Sequence, residues 1–314
     1  MKFAIVGAGP VGSILAAHLM HAGQEVYLVD TWKEHLQAIL DQGLSVSGFR
    51  DMASRVTGGF ESIAQLGAVK PDYLILSVKA CVLRGVLKEA EEVVKKDTAI
   101  VSLQNGLDTE EVIAHAFKSQ RILRAVINYA GNVTAPGKVT MNFFNKPNHI
   151  GCNCKDYPCE RVTRLAELLT SVCLDTRVET DIKRYVWEKT ILNASLSPVS
   201  AVTGMTMREV MSSSETCRDV EALLRECIKV AAFSGYDFGP GFFNFCMAYL
   251  DKGGPHKPSM LVDIEAHRET EINFINGRIA YYGSLNNVPT PVNDMFTRLV
   301  KALEHKYLDV EAAG

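Results

Sequence analysis

The chain has 314 residues, 47% of them hydrophobic and 22% charged, which is globular usage, long enough for two packed cores and free of disordered or fibrous tracts. A formal net charge of -3 leaves no basic stripe to neutralise nucleic-acid phosphates, so a small molecule is the expected partner, with no nucleic acid. The opening MKFAIVGAG is too short an apolar run for a secretion signal and no run reaches the length of a membrane span, so a cytoplasmic protein without a membrane partner is expected.

Phe3 to Val6 read as a buried strand that enters Gly7-Ala8-Gly9-Pro10-Val11-Gly12, followed by a helical pattern with Ile14, Leu15, Leu19 and Ala22 apolar and Gly23 as its stop. Val26 to Val29 then form a second strand ending at Asp30. Strand, glycine turn, helix, strand and acid in about thirty residues are the context of a dinucleotide site. Gly7 permits the tight turn, Gly9 lets main chain approach a pyrophosphate, and Gly12 lets helix and strand pack closely. The structural alternative is a glycine turn that only packs a helix on a sheet. Asp30, 21 residues after Gly9, can accept hydrogen bonds from ribose hydroxyls and would repel a 2'-phosphate, which favours NAD over NADP. Lys33 and His35 stand close enough to temper that preference.

Further strands are expected at Tyr73 to Val78, Thr98 to Leu103 and Ile122 to Val126, alternating with helices in an α/β pattern whose ligands bind at strand C-terminal ends. Two such ends carry polar groups, Lys79 and Gln104-Asn105-Gly106. A solvated lysine and a plain turn are their structural alternatives. Asp108 and Glu111 suggest a capping box. Alternation from Gly137 to Gly151 suggests antiparallel strands added to the sheet edge. A helix over Glu160 to Leu169 and a strand near Leu174 to Val178 close a first domain, 1–179. The eight cysteines form no disulfide framework and are expected to be mostly buried thiols. His149, Cys152, Cys154 and Cys159 could supply four zinc ligands, but lack the paired Cys-x-x-Cys knuckles of zinc modules, so no metal is expected.

The second domain, 180–314, shows only helical periodicity. A helix from an N-cap at Thr180 places Lys189, Asn193 and Ser197 on one face amid Val186, Trp187, Ile191, Leu192, Ala194 and Leu196, and Pro198 is expected to end it. A lysine, an amide and a hydroxyl on one face could protonate and orient a carbonyl substrate if a cofactor delivers the electrons; a surface lysine beside Arg184 and Glu188 is the alternative. PSMLVDIEAHRETEINFING reads as one long helix with Glu271 on the stripe of Leu261, Ile264, Ile275 and Ile279, where a carboxylate is paired or functional. Ser259 sits where an N-cap would.

The order GxGxxG, VKA, QNG, K-x-x-x-N-A-x-x-x-P, H-x-P-S-M-x-x-D and E-x-x-x-I-N-G resembles the ketopantoate reductase family of 6-phosphogluconate dehydrogenase-like proteins, over nearly the whole chain. The resemblance implies a Rossmann-type dinucleotide-binding domain followed by an all-helical domain. It implies Lys189 as the catalytic acid that protonates the carbonyl as hydride arrives, with Glu271 beside lysine and nicotinamide ribose. Asn105, Asn193, Ser197 and Ser259 match substrate positions. Gly7, Ala8, Gly9, Pro10, Val11, Gly12, Asp30, Lys79, Asn105, Ala130 and Glu271 match cofactor positions.

Ser197 stands where the family usually has a second asparagine before the proline, and Met207 where a further one is expected. Val29-Asp30-Thr31-Trp32 resembles the family's NAD-dependent D-2-hydroxyacid dehydrogenase branch and departs from members that present a basic residue there. The reading is an NAD(P)H-dependent reductase of a small 2-oxo acid, 2-dehydropantoate 2-reductase-like, with NAD favoured by Asp30. An NAD-dependent D-2-hydroxyacid dehydrogenase and a non-catalytic NAD-sensing protein are the alternatives, and a homodimer is the one assembly considered.

Overall fold

A computed structural model describes residues 1–118, 122–152 and 159–311. The chain divides into two compact units, one of Met1–Gln104 with Thr109–Ile182, the other joining Asn105–Asp108 to the chain from Lys183 onward.

In the first unit the order is β1 (Lys2–Val6), α1 (Pro10–His21), β2 (Glu25–Val29), α2 (Lys33–Gln42), β3 (Leu44–Gly48), β4 (Met52–Ser54), β5 (Gly58–Phe60), β6 (Tyr73–Leu76), α3 (Leu83–Val93), β7 (Ala99–Ser102), α4 (Thr109–Ala114), β8 (Ile122–Val126), β9 (Tyr129–Ala135), β10 (Lys138–Phe144), β11 (Asn148–Cys152), α5 (Glu160–Ser171) and β12 (Thr176–Val178). Eight strands form one sheet in the order β12-β11-β8-β7-β6-β1-β2-β5, parallel from β8 through β5, with β11 antiparallel to β8. Strand order reverses between β1 and β6, as in a Rossmann-type domain, and the ligand crevice of such a sheet lies there, outside the strand C-terminal ends. The central strands β1, β6, β7 and β8 are buried on both faces, which is why they are near-continuous apolar runs.

The alternation in VTMNFFN does not extend the edge of this sheet. β10 instead pairs with β9 and β3 in a separate sheet, β4-β3-β10-β9, while β11 lies inside the large sheet between β8 and β12. Alternation reports that one face is buried and is silent on which sheet a strand joins. The small sheet packs on α1, whose other side meets β1 and β2. Covered from both sides, α1 buries Gly12 through Leu19 without a break, the two polar side chains in that run, Ser13 and His18, being bonded to the Ala8 and Ile14 carbonyls.

In the second unit α6 (Ile182–Thr203) is followed by α7 (Met207–Ser212), α8 (Ser214–Phe233), α9 (Phe242–Asp251), α10 (Ser259–Glu265), α11 (Asn276–Leu285) and α12 (Pro291–Glu311), with no strand among the described residues. Leu196, Val199, Val210, Val220, Leu223, Leu250 and Phe296 form a core.

Two expectations fail here for identifiable reasons. Pro198 does not end its helix, since α6 runs on to Thr203. A proline lacks the N–H that would bond the carbonyl four residues earlier, that of Ala194. Asn276 Nδ2 donates to that carbonyl at 2.9 Å and takes the missing partner's place. The long helix over 258–277 is broken into α10 and α11. Arg268 turns back so that its N–H bonds the Asp263 carbonyl at 2.9 Å and its Nε and Nη2 reach Asp263 Oδ1 at 3.1 and 3.0 Å, through a left-handed His267 at φ 53°. Thr270 N–H then donates to Glu304 Oε1 at 2.7 Å. Asp263 and Glu304 are both buried, and satisfying two buried carboxylates outweighs continuing an apolar stripe.

Candidate functional site

The glycine turn follows β1 directly. Gly7 has φ 100°, its N–H donates to the Val29 carbonyl at 2.8 Å, and a Cβ there would stand 2.9 Å from the Ser77 carbonyl carbon after β6. A Cβ on Gly12 would come within 2.0 Å of the Gly7 carbonyl oxygen, so helix and turn pack at a distance only glycine allows. Gly9 differs: a Cβ there would meet no protein atom within 4 Å. Packing does not require Gly9, and its φ of -62° does not either. Bare main chain facing open space at a helix N-terminus, with Pro10 at the first helical position and the N–H groups of Val11 and Gly12 beyond the reach of intrahelical bonds, suits a pyrophosphate. The turn therefore fits a nicotinamide dinucleotide. Tyr129 props its first turn, donating to the Val11 carbonyl at 3.2 Å, and burial pushes that phenol's pKa up.

Asp30 closes the turn from β2. Ala8 N–H donates to its Oδ2 at 2.5 Å and Trp32 N–H to its Oδ1 at 2.8 Å, so the carboxylate is fixed by the main chain on both sides. Behind it His35 is fully buried under Trp32, the rings stacked at 4.8 Å. Gly137 N–H donates to His35 Nδ1 at 3.1 Å, which leaves the ring proton on Nε2 and the imidazole neutral. Burial holds the His35 pKa below the usual histidine value, against the opposing pull of Asp30. Lys79 stands half-buried after β6, at the head of a short turn over Ala80–Val82. Ala130 lies in β9 of the small sheet, opposite Phe143 beside a register shift.

In the second unit, segments far apart in sequence meet. Asn105 Nδ2 donates to Glu271 Oε2 at 3.1 Å, and Leu107 N–H to the Phe274 carbonyl at 2.9 Å. Gly106 has φ 89°, and a Cβ there would fall 2.3 Å from the Phe274 carbonyl oxygen, so the loop can lie this close only with glycine. Glu271 is buried in the connection between α10 and α11 and not on a helical stripe. Asn276 fastens the start of α11 to α6 at Ala194, next to Asn193. Along α6, Lys189 and Asn193 are half-buried and Ser197 is buried, at four-residue intervals on one face. Ser259 is exposed at the first residue of α10, where Pro258 holds the cap position and no side chain caps.

Asp108 does not have a capping residue's extended backbone. Its φ is 63°, its Oδ1 accepts from Tyr282 Oη at 2.7 Å, and its Oδ2 lies 3.3 Å from Arg278 Nε. Tyr282 in turn packs edge-on against Trp187 of α6 at 5.3 Å. Asn276, Arg278 and Tyr282 are outside the residues that spacing marks, and Asp108 is marked there only as a cap. Asn276 left one signal, an amide beside glycine in E-x-x-x-I-N-G.

The cysteines are less buried than expected: Cys227 and Cys246 are buried, Cys81, Cys159 and Cys217 half-buried and Cys173 exposed. Of the four candidate zinc ligands, Cys154 lies outside the described residues. Cys152 is disulfide-bonded, which removes its thiolate, and His149 Nδ1 faces Glu179 Oε1 at 2.7 Å. No cluster of three or more His, Cys, Asp and Glu placed to hold a metal occurs among the described residues, nor does a helix long and apolar enough to cross a membrane.

Comparison with known proteins places two successive matches along the chain. Residues 3–153 match the family described as Ketopantoate reductase PanE/ApbA, and residues 181–304 match Ketopantoate reductase PanE/ApbA C terminal. A 2-dehydropantoate 2-reductase of Pyrococcus horikoshii is 29% identical over 97% of this chain and 98% of its own length. One of Streptococcus pyogenes serotype M3 is 27% identical over 96% and 97%. Among solved structures, a ternary complex of D-mandelate dehydrogenase with NADH and anilino(oxo)acetate superposes with a TM-score of 0.89 at 29% identity, covering 98% of this chain and 99% of that one. The 2-dehydropantoate 2-reductase of Methylococcus capsulatus gives 0.84 at 26%, covering 98% of each.

Proposed function

The chain belongs to the ketopantoate reductase family, and on that premise we propose that it is an oxidoreductase that reduces a small 2-oxo acid to the D-2-hydroxy acid at the expense of a nicotinamide dinucleotide. The observation that carries this reading is the meeting of Asn105 with Glu271 in the same unit as the Lys189 helix, to which Asn276 ties the start of α11. When bound, the reduced nicotinamide supplies the hydride. Lys189 supplies the proton to the carbonyl oxygen, and its ammonium stabilises negative charge growing there. Asn193, one turn on, hydrogen-bonds the substrate, and Ser197 and Ser259 complete its polar surround. Glu271, oriented by Asn105, holds Lys189 or the product hydroxyl. Gly7 through Gly12 seat the pyrophosphate, with Lys79 and Ala130 lining the same cofactor. Asp30 takes the ribose hydroxyls, which favours NADH because a 2'-phosphate would face a carboxylate already fixed in place.

The substrate proposed first is 2-dehydropantoate or a related branched 2-oxo acid, as the names of the relatives suggest. A second reading, an NAD-dependent D-2-hydroxyacid dehydrogenase, is favoured by Asp30 and by the likeness to an NADH-bound D-mandelate dehydrogenase. Initial rates with a panel of aliphatic and aromatic 2-oxo acids, each with NADH and NADPH, test both. The first predicts the highest kcat/KM for 2-dehydropantoate and the second for an aromatic or bulkier acid. No turnover with any 2-oxo acid would overturn the proposal, and a tenfold or greater preference for NADPH would overturn the role given to Asp30.

A further inference from the structure

Asp30 is not the only carboxylate at the ribose end of the dinucleotide turn. β5 pairs parallel with β2, Val29 opposite Phe60, and Asp30 N–H donates to the Phe60 carbonyl at 3.1 Å. Glu61 therefore leaves β5 at the same sheet end as Asp30. Its main chain is held there, because Glu61 N–H and Ser62 N–H both donate to Gln65 Oε1, at 3.0 and 3.2 Å, in the capping box of the turn over Ile63–Ala68. The Glu61 side chain reaches back across the strand end, its Oε2 2.7 Å from Lys33 Nζ.

A 2'-phosphate at this end needs a counter-charge, and two nearby residues could offer one. His35 is excluded by its burial beneath Trp32 and by the Gly137 N–H on its Nδ1. That leaves Lys33, and Lys33 is already engaged. Glu61 and neighbouring Glu34 both stabilise its ammonium, holding its pKa above the usual lysine value.

We propose that Glu61 is a second determinant of dinucleotide choice, which occupies Lys33 and adds its own negative charge to that of Asp30, so that NADPH is refused twice. The inference rests on the assignment of Asp30 to the ribose. It goes further by naming Glu61, which follows a different strand and which no sequence spacing after β2 marks, as the residue that occupies Lys33. An exposed pair contributes little to stability, but the Glu61 carboxylate would still act on a 2'-phosphate bound at this strand end.

The test is the Kd of NADPH and of NADH from nicotinamide fluorescence titration without substrate, alongside kcat/KM for each with the best 2-oxo acid, in wild type, Glu61→Gln, Lys33→Met and the double variant, the two readouts being expected to move together. Glu61→Gln should raise kcat/KM for NADPH by about three- to tenfold, with a smaller change for NADH and a gain that shrinks as salt is added. Lys33→Met in the same chain should abolish most of that gain. An unchanged NADPH value in Glu61→Gln, an equal rise for both dinucleotides, or a gain that survives Lys33→Met undiminished would each overturn the inference. Its failure is separable from that of the reading beneath it: if wild type prefers NADPH, the Asp30 assignment falls and this proposal with it. If wild type prefers NADH while Glu61→Gln changes nothing, only the role of Glu61 falls.

Discussion

The dinucleotide turn and the polar cluster of the helical unit are built by different means. The turn is a main-chain device: Gly7, Gly9 and Gly12 act by lacking a Cβ, and Asp30 is held by the N–H groups of Ala8 and Trp32. All of it lies within thirty-two residues of the chain start. The cluster is a side-chain device assembled from Asn105–Asp108, α6 and the segment around Glu271, with one hydrogen bond spanning 166 residues of sequence. A turn of the first kind is a local pattern that any sufficiently close reading of the chain can find. A cluster of the second kind draws short patterns from separate segments, and which of them meet depends on every element that carries them.

If this division is right, substitutions in the two regions should separate chemistry from cofactor affinity. Lys189→Ala should lower kcat by roughly two or more orders of magnitude, the range of a lost general acid, with NADH affinity retained in a fluorescence titration. Near-normal turnover would return Lys189 to the role of a structural cation and dissolve the contrast. Gly9→Ala should do the reverse. Since a Cβ there meets no protein atom, the fold should keep its stability or gain about 0.4–1 kcal/mol from a stiffer unfolded chain, while NADH affinity falls by roughly tenfold or more where the methyl displaces the pyrophosphate. Undiminished NADH binding in that variant would remove the turn as the phosphate cradle.

The cluster's dependence on distant groups can be measured as stability. Asn276→Ala leaves the Ala194 carbonyl orphaned and should cost about 1–3 kcal/mol in urea denaturation. Adding Pro198→Ala restores an N–H to that carbonyl from within α6 and should recover part of the loss. Strictly additive effects of the two substitutions would show that the amide and the proline are not coupled.

The smallest effect belongs to the first unit. His18 and His35 are both buried with pKa values lowered, chiefly by burial. Below the ordinary value of 6.5 the unfolded chain takes up their protons before the folded chain does, so stability is greatest above that pH and declines as pH falls beneath it. Thermal unfolding should move down by roughly 2–4 °C per kcal/mol of this linkage between pH 7.5 and 5.5. A flat profile would mean that both rings accept protons without unfolding.

The chain by itself determined the features whose causes are local. Gly7 to Gly12 followed by Asp30 specify a turn through steric exclusion within a few residues, and the buried strands Phe3 to Val6, Tyr73 to Leu76 and Ala99 to Ser102 declare themselves as unbroken apolar runs. The helical second unit follows from period alone. What only the tertiary structure decided turns on buried polar groups finding partners far away. Pro198 sits inside a helix because an amide 82 residues from Ala194 supplies the lost donor. Glu271 left its predicted stripe because Asp263 and Glu304 drew Arg268 and Thr270 out of helical register. VTMNFFN went to a second sheet because α1 had an apolar face still to cover. His35 looked like a base available to a phosphate, and a ring stacked over it with an N–H from Gly137 made it part of the wall. A sequence records which groups must be satisfied if they are buried; which of them are buried, and by whom they are satisfied, is settled only when the chain closes on itself.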